Sequence, residues 1–182
     1  MKNAIILHGT ECKPEDFWYM WLKKELEDNG YRVELPYRED MNRVPIAEYL
    51  PHIMAEHTLD DETILIGHSS GVPLILSMLQ ATSQKIHKAV LVAGFSEPLP
   101  GTHDVILQEN YDWDMIKQHA REFIIINSDN DPWGCDDKQG RKLFDNLGGT
   151  LVIRHDGHFG SNTMNQPYKE FPLLKTLTLG AL

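Results

Sequence analysis

Six short runs rich in Val, Ile and Leu recur along the chain, each parted from the next by a segment long enough for a helix. They are Ala4–Leu7, Arg32–Leu35, Thr63–Ile66, Ala89–Val92, Phe123–Ile126 and Thr150–Ile153. None alternates polar with apolar as a half-solvated strand would, so the expected setting is a sheet covered on both faces. Between the runs lie helix-like stretches at Pro14–Asn29, Pro45–His57, Ser70–Thr82, Trp113–Ala120 and Asp137–Leu147, with a last helix expected from near Pro167. Pro14 suits a first helical turn, and Asn29-Gly30 and Gly148-Gly149 suit helix ends because they tolerate a left-handed backbone. Strands alternating with helices make βαβ units. The expected architecture is therefore α/β, a mainly parallel six-stranded sheet with helices on both faces, in one domain spanning residues 1–182. The chain has no internal repeat, low-complexity tract or linker.

The third run leads directly into Gly67-His68-Ser69-Ser70-Gly71, a G-x-S-x-G pattern, and a helix-like segment with Pro73 in its first turn follows. Strand, turn and helix in that order form a nucleophile elbow. The turn holds the serine in a strained conformation at the carboxyl edge of the sheet, close to the positive end of the next helix. Ser69 is the candidate nucleophile, and the backbone N–H of Ser70 is a candidate oxyanion donor. In this arrangement the acid and base follow the serine in chain order. After the fifth run comes Asn127-Ser128-Asp129-Asn130-Asp131-Pro132-Trp133, and after the sixth Arg154-His155-Asp156-Gly157-His158-Phe159-Gly160. Both loops leave the carboxyl ends of strands, where open α/β sheets place their sites. Asp131 is the candidate acid with Asp129 as its competitor, and His158 the candidate base with His155 as its competitor. The first run ends in His8-Gly9-Thr10, which makes the N–H of Thr10 the candidate second oxyanion donor. These features make an α/β-hydrolase fold carrying a serine hydrolase site the expectation.

Lys and Arg number 17 against 27 Asp and Glu, for a formal net charge of −10. A surface that acidic repels phosphate backbones and anionic headgroups, so neither nucleic acid nor a membrane is an expected partner. Cys12 and Cys135 make no disulfide framework and no Cys-x-x-Cys motif. The apolar run Ala4–Leu7 is too short for a signal peptide core, and no stretch approaches the roughly 20 apolar residues of a membrane span. A cytoplasmic location is expected. His155-Asp156-Gly157-His158 offers a histidine pair without a third metal ligand nearby, so no metal and no cofactor are expected.

The chain resembles the YdeN-like family of small serine hydrolases, which includes retinoblastoma-binding protein nine. The resemblance rests on His8-Gly9-Thr10, Pro14-Glu15-Asp16-Phe17-Trp18 with Trp21-Leu22, Gly67-His68-Ser69, Tyr111-Asp112-Trp113, Ser128-Asp129-Asn130-Asp131-Pro132-Trp133 and Gly157-His158-Phe159. It implies a fold without a large lid and a triad of Ser69, Asp131 and His158. Two departures stand out. Glu11-Cys12 replaces the family's usual glycines after Thr10, and Gly134-Cys135 replaces its usual Val-Pro after Trp133. Glu11 is expected in water and Cys12 packed, with Cys12 and Cys135 near one another at the site's rim. No L-x-C-x-E segment is present, so a retinoblastoma-type partner has no support.

The segment from Gly94 to Tyr111, with Pro98 and Pro100, is the one connection long enough to shape a lid. A shallow, open site is expected, lined by Phe95, Trp133 and Phe159 and suited to a small-molecule ester or a peptide-like chain end. Two rival functions share the fold class. One is a catalytically weak or inactive hydrolase fold serving as a protein-binding module, which Glu11 and Cys12 keep in play. The other is a nucleotide- or flavin-binding protein, opposed by the lack of G-x-G-x-x-G or a P-loop after the first run.

Overall fold

A computed structural model describes residues 1–180. The strands are β1 (Asn3–Leu7), β2 (Arg32–Glu34), β3 (Thr63–His68), β4 (Ile86–Val92), β5 (Ala120–Ser128) and β6 (Thr150–Arg154). The helices are α1 (Tyr19–Glu27), α2 (Ile46–Glu56), α3 (Gly71–Ala81), α4 (Trp113–Gln118), α5 (Asp137–Leu147) and α6 (Pro172–Leu179). All strands run parallel in the order β2-β1-β3-β4-β5-β6. Because right-handed crossovers set the side of each helix, the reversal of direction at β1 puts α1 on one face and α2 to α5 on the other. The packing agrees: α1 meets α6, while α2, α3, α4 and α5 meet in succession.

The reversal also creates the switch point at which open α/β sheets bind ligands. It lies between the carboxyl ends of β1 and β3, which carry His8-Gly9-Thr10 and the elbow. Between the sheet and its neighbouring helices α3 is buried from Gly71 to Leu79, and it is apolar around most of its circumference. Lys88 is 1% exposed on β4, and its ammonium donates to the carbonyls of Leu177, Thr178 and Gly180 at the end of α6. Glu122 lies 3.1 Å away as its counterion.

Several boundaries differ from the sequence reading. α1 starts at Tyr19 and not at Pro14, since Phe17 takes a φ of +49° and the Asp16 carboxylate accepts from Lys13 N–H in a tight turn. α6 starts at Pro172 and not near Pro167, because Ser161 and Gln166 pair as a bridge and Tyr168 has a φ of +37°. α4 ends at Gln118, and Ala120 belongs to β5. The edge strands β2 and β6 are only partly covered, so the expectation of burial on both faces holds for the four inner strands.

Candidate active site

The elbow is built by close contact. Ser69 has a φ of +53°, held by Ser69 N–H donating to Val92 O at 2.9 Å and by Val72 N–H donating to Ser69 O at 2.9 Å. A Cβ on Gly71 would lie 2.3 Å from Leu7 O, and one on Gly67 would lie 2.8 Å from the Gly71 carbonyl. Only glycine lets β3, α3 and the end of β1 approach this closely.

The acid and base loops sort their candidates by depth. His158 Nδ1 and Asp131 Oδ2 are 2.7 Å apart, with side chains 8% and 0% exposed. His155 Nδ1 and Asp129 Oδ1 also pair, at 2.6 Å, but their side chains are 77% and 51% exposed. The sequence offered two Asp–His pairs. Both form, and of the four side chains only His158, in the inner pair, lines the cavity that Ser69 also lines. Trp133 N–H donates to Asp131 Oδ1 at 2.8 Å, fixing the carboxylate's rotation. Asn127 Nδ2 donates to the carbonyls of Gly94, Cys135 and Asp136, which anchors the acid loop to the sheet.

The base loop is clamped by a residue the sequence did not mark. Gln166 Oε1 accepts from His158 N–H at 3.0 Å and from Gly160 N–H at 3.2 Å, while its Nε2 donates to Asp156 O at 2.5 Å. No motif surrounds Gln166, so no local signal pointed to it. Asn130 accepts from Gly157 N–H at 2.9 Å and links the acid loop to the base loop.

On the oxyanion side, Thr10 Oγ1 donates to Ser70 Oγ at 3.0 Å, tying together the two residues expected to supply the donors. Among the described residues, the backbone N–H of Thr10 and that of Ser70 have no hydrogen-bond partner. His8 shapes the loop without joining the chemistry. Its Nε2 accepts from Arg38 N–H at 3.0 Å, so Nδ1 carries the proton and donates to Gly9 O at 2.7 Å. Burial lowers the His8 pKa, in keeping with a neutral ring.

Ser69, Thr10 and His158 line a cavity of about 430 Å³, within the range of ligand pockets. Phe95 and Trp133 line it as expected, together with Phe17 and Leu99. Phe159 does not: it is 0% exposed and stacks on Phe171 at 5.2 Å, so it is core packing. The β4–α4 connection supplies Leu99, Thr102, His103 and Asp104 to the wall. Asp104 closes that connection on itself, accepting from Leu99 N–H at 3.1 Å and from Asn42 Nδ2 at 3.0 Å.

Glu11 points to water and pairs with Arg43 at 2.6 Å, and Cys12 is partly buried on the cavity wall. Cys135 is not at the rim. It is 0% exposed, and its Sγ, an Asp131 oxygen and a His158 nitrogen lie within 4.8 Å of one another. Because His158 Nδ1 already bonds Asp131 Oδ2, this group is the acid–base pair with a thiol packed against it. Burial pushes the Cys12 thiol up to about 11 and that of Cys135 well above its ordinary value, so both stay protonated and unreactive near neutrality.

A six-stranded parallel sheet with a serine on the elbow after β3 defines an α/β-hydrolase. The chain belongs to the serine hydrolase family, whose model, described as serine hydrolase, matches residues 4–176. It is similar to YdeN of Bacillus subtilis strain 168, 27% identical over 167 residues that cover 87% of this chain and 86% of YdeN. It is also similar to the serine hydrolase RBBP9 of Rattus norvegicus, 27% identical over 157 residues that cover 82% of this chain and 81% of that protein. The crystal structure of the B. subtilis ydeN gene product superposes with a TM-score of 0.88 at 24% identity, covering 97% of this chain and 96% of that one. Est1E of Butyrivibrio proteoclasticus, solved with ferulic acid bound, shares the fold at a TM-score of 0.69 and 14% identity, covering 98% of this chain and 88% of its own.

Proposed function

We propose that this chain is a carboxylesterase-like acyl hydrolase working through Ser69, His158 and Asp131. The observation that carries the reading is the buried 2.7 Å Asp131–His158 pair, whose histidine lines the same cavity as Ser69. Asp131 accepts from Nδ1–H, which leaves Nε2 of His158 as the free base. Ser69 Oγ attacks the ester carbonyl while Nε2 takes its proton. The N–H groups of Thr10 and Ser70 receive the oxyanion, and a donor aimed where charge develops is worth about 2.7–4 kcal/mol. The protonated imidazole then gives its proton to the departing alcohol. Water, deprotonated by the same nitrogen, releases the acid from Ser69.

Among the described residues no lysine or arginine lines the cavity, whereas Phe17, Phe95, Leu99 and Trp133 do. With Glu11 and Asp104 also on the wall, acyl groups without a negative charge are therefore the favoured substrates. Thioesters, amides and peptide-like chain ends are open to the same chemistry. Two free thiols favour a reducing, cytoplasmic setting, and among the described residues no helix is long and apolar enough to cross a membrane.

A fluorophosphonate probe tests the reading. Label is expected on Ser69, absent in Ser69→Ala and weakened in His158→Ala. Correctly folded protein that takes no label overturns it, and directs attention to a binding role for the same cavity.

A further inference from the structure

Behind the triad, a buried chain of hydrogen bonds joins the loops that carry the two halves of the chemistry. Gly9 N–H donates to Tyr19 Oη at 3.3 Å, Tyr19 Oη lies 2.5 Å from His68 Nδ1, and His68 Nε2 lies 2.8 Å from His158 O. Tyr19 and His68 are both 0% exposed. The rings of Phe17 and Trp18 pack edgewise on His68 at 6.0 and 5.7 Å and close it off from water.

The acceptors at the far end fix every proton in this chain. A carbonyl can only accept, so His68 Nε2 carries a hydrogen and donates it to His158 O. Burial, followed by the neighbouring His158, pushes the His68 pKa down to about 3, so the ring is neutral and Nδ1 is a bare acceptor. The Tyr19 hydroxyl must then donate to Nδ1, which leaves its oxygen to accept from Gly9 N–H. The bonds run in one direction, and each of these donors and acceptors is used.

Gly9 immediately precedes Thr10, His68 immediately precedes Ser69, and the carbonyl belongs to His158 itself. We propose that Tyr19 and His68 are positioning residues, a buried tie that sets the oxyanion loop and the histidine loop at a fixed separation across the elbow. The proposal rests on the hydrolase reading of Ser69, His158 and Thr10. Tyr19 acts only through its neighbours. Without its hydroxyl, His68 Nδ1 loses its donor and Gly9 N–H its acceptor, and both loops lose one restraint at once. A misplacement of about 1 Å in such a site costs about 100-fold in rate.

Tyr19→Phe keeps the ring and removes the tie. With a neutral short-chain nitrophenyl ester, kcat is expected to fall on the order of 10- to 100-fold while KM stays within about twofold, since orientation and not binding is lost. His68→Gln, which keeps an N–H near the Nε2 position, is expected to retain several-fold more kcat than His68→Leu. A folded Tyr19→Phe enzyme with wild-type kcat overturns the proposal, and so does equal loss in the two His68 variants. Should Tyr19→Phe fail to fold, the His68 pair decides. Imidazole nitrogen NMR reads the tie without any reference to activity. A neutral Nε2–H ring is expected for His68 between about pH 5 and 8, and an Nδ1–H tautomer or an imidazolium overturns the tie. Wild-type protein that takes no fluorophosphonate counts against the hydrolase reading, whereas a labelled wild type beside an unimpaired Tyr19→Phe counts against the tie alone.

Discussion

Asp131→Asn puts the division of labour between the two Asp–His pairs to its sharpest test. In the native site, Trp133 N–H donates to Oδ1 at 2.8 Å, and His158 Nδ1 lies 2.7 Å from Oδ2. An asparagine amide placed there keeps its oxygen on the Trp133 N–H, because nothing else satisfies that donor. Its NH₂ group is then turned towards His158 Nδ1 and needs an acceptor there. The imidazole answers by moving its proton to Nε2, and that nitrogen no longer takes a proton from Ser69. The same tautomer reversal in a serine protease lowers kcat about 10⁴-fold. At about 1.36 kcal/mol per decade this is about 5.4 kcal/mol of transition-state stabilisation. Because the carboxylate is 0% exposed, water offers no substitute orientation. The assay is steady-state hydrolysis of a neutral nitrophenyl ester, with circular dichroism confirming the fold. Asp129→Asn is the control, since its pair with His155 is exposed and lies outside the cavity lining, and kcat there is expected to stay within about twofold. Asp131→Asn retaining more than about a tenth of wild-type kcat, or Asp129→Asn losing as much as Asp131→Asn does, would refute the assignment.

Other measurements reach the scaffold. Gly71→Ala forces a methyl to within 2.3 Å of Leu7 O, so thermal unfolding is expected to drop by about 6–12 °C for a cost of about 3 kcal/mol; an unchanged midpoint with unchanged activity would contradict the packing at the elbow. Lys88→Met strands three carbonyls at the end of α6 and leaves Glu122 without its cation. Urea denaturation should show a loss of about 3 kcal/mol, part of it recovered by adding Glu122→Leu. His68 supplies a pH dependence. Its folded pKa, about 3, lies below the ordinary histidine value, so the unfolded chain binds the extra proton and stability falls as pH drops through that interval. The slope from this group is up to about 1.4 kcal/mol per pH unit below about pH 6.5, and the difference in urea stability between wild type and His68→Gln should shrink by about 2 kcal/mol from pH 7 to pH 5. A difference that stays constant over that range would mean that His68 is not held neutral.

The local chemistry of the chain was enough for the fold class and the outline of the site. Six β-branched runs spaced by helix-length segments admit few structures other than a covered parallel sheet, and G-x-S-x-G between a strand and a helix names its own geometry. Glycine at positions 67 and 71 was legible for the same reason, since small residues there mark the close approach that the contacts with Gly71, Leu7 and Ile75 now display. Local signals failed where a boundary depended on distant contacts. Pro14 reads as a helix start until Phe17 adopts a left-handed backbone, and its ring packs edgewise on Tyr19 and His68.

Triad placement and the family resemblance favoured Asp131 and His158, yet Asp129 and His155 stand on the same two loops in the same order. Burial separates them, and burial belongs to the assembled structure. Cys135 and Phe159 were misplaced for a related reason: neighbours of catalytic residues in the chain alternate between the cavity and the core. Tyr19, His68 and Gln166 carry no motif for their roles, since each acts through hydrogen bonds to partners remote in sequence or held on other loops. Sequence spacing records what one segment can do alone. Which buried polar groups satisfy one another across the switch point is decided only when β1, β3 and the base loop come together.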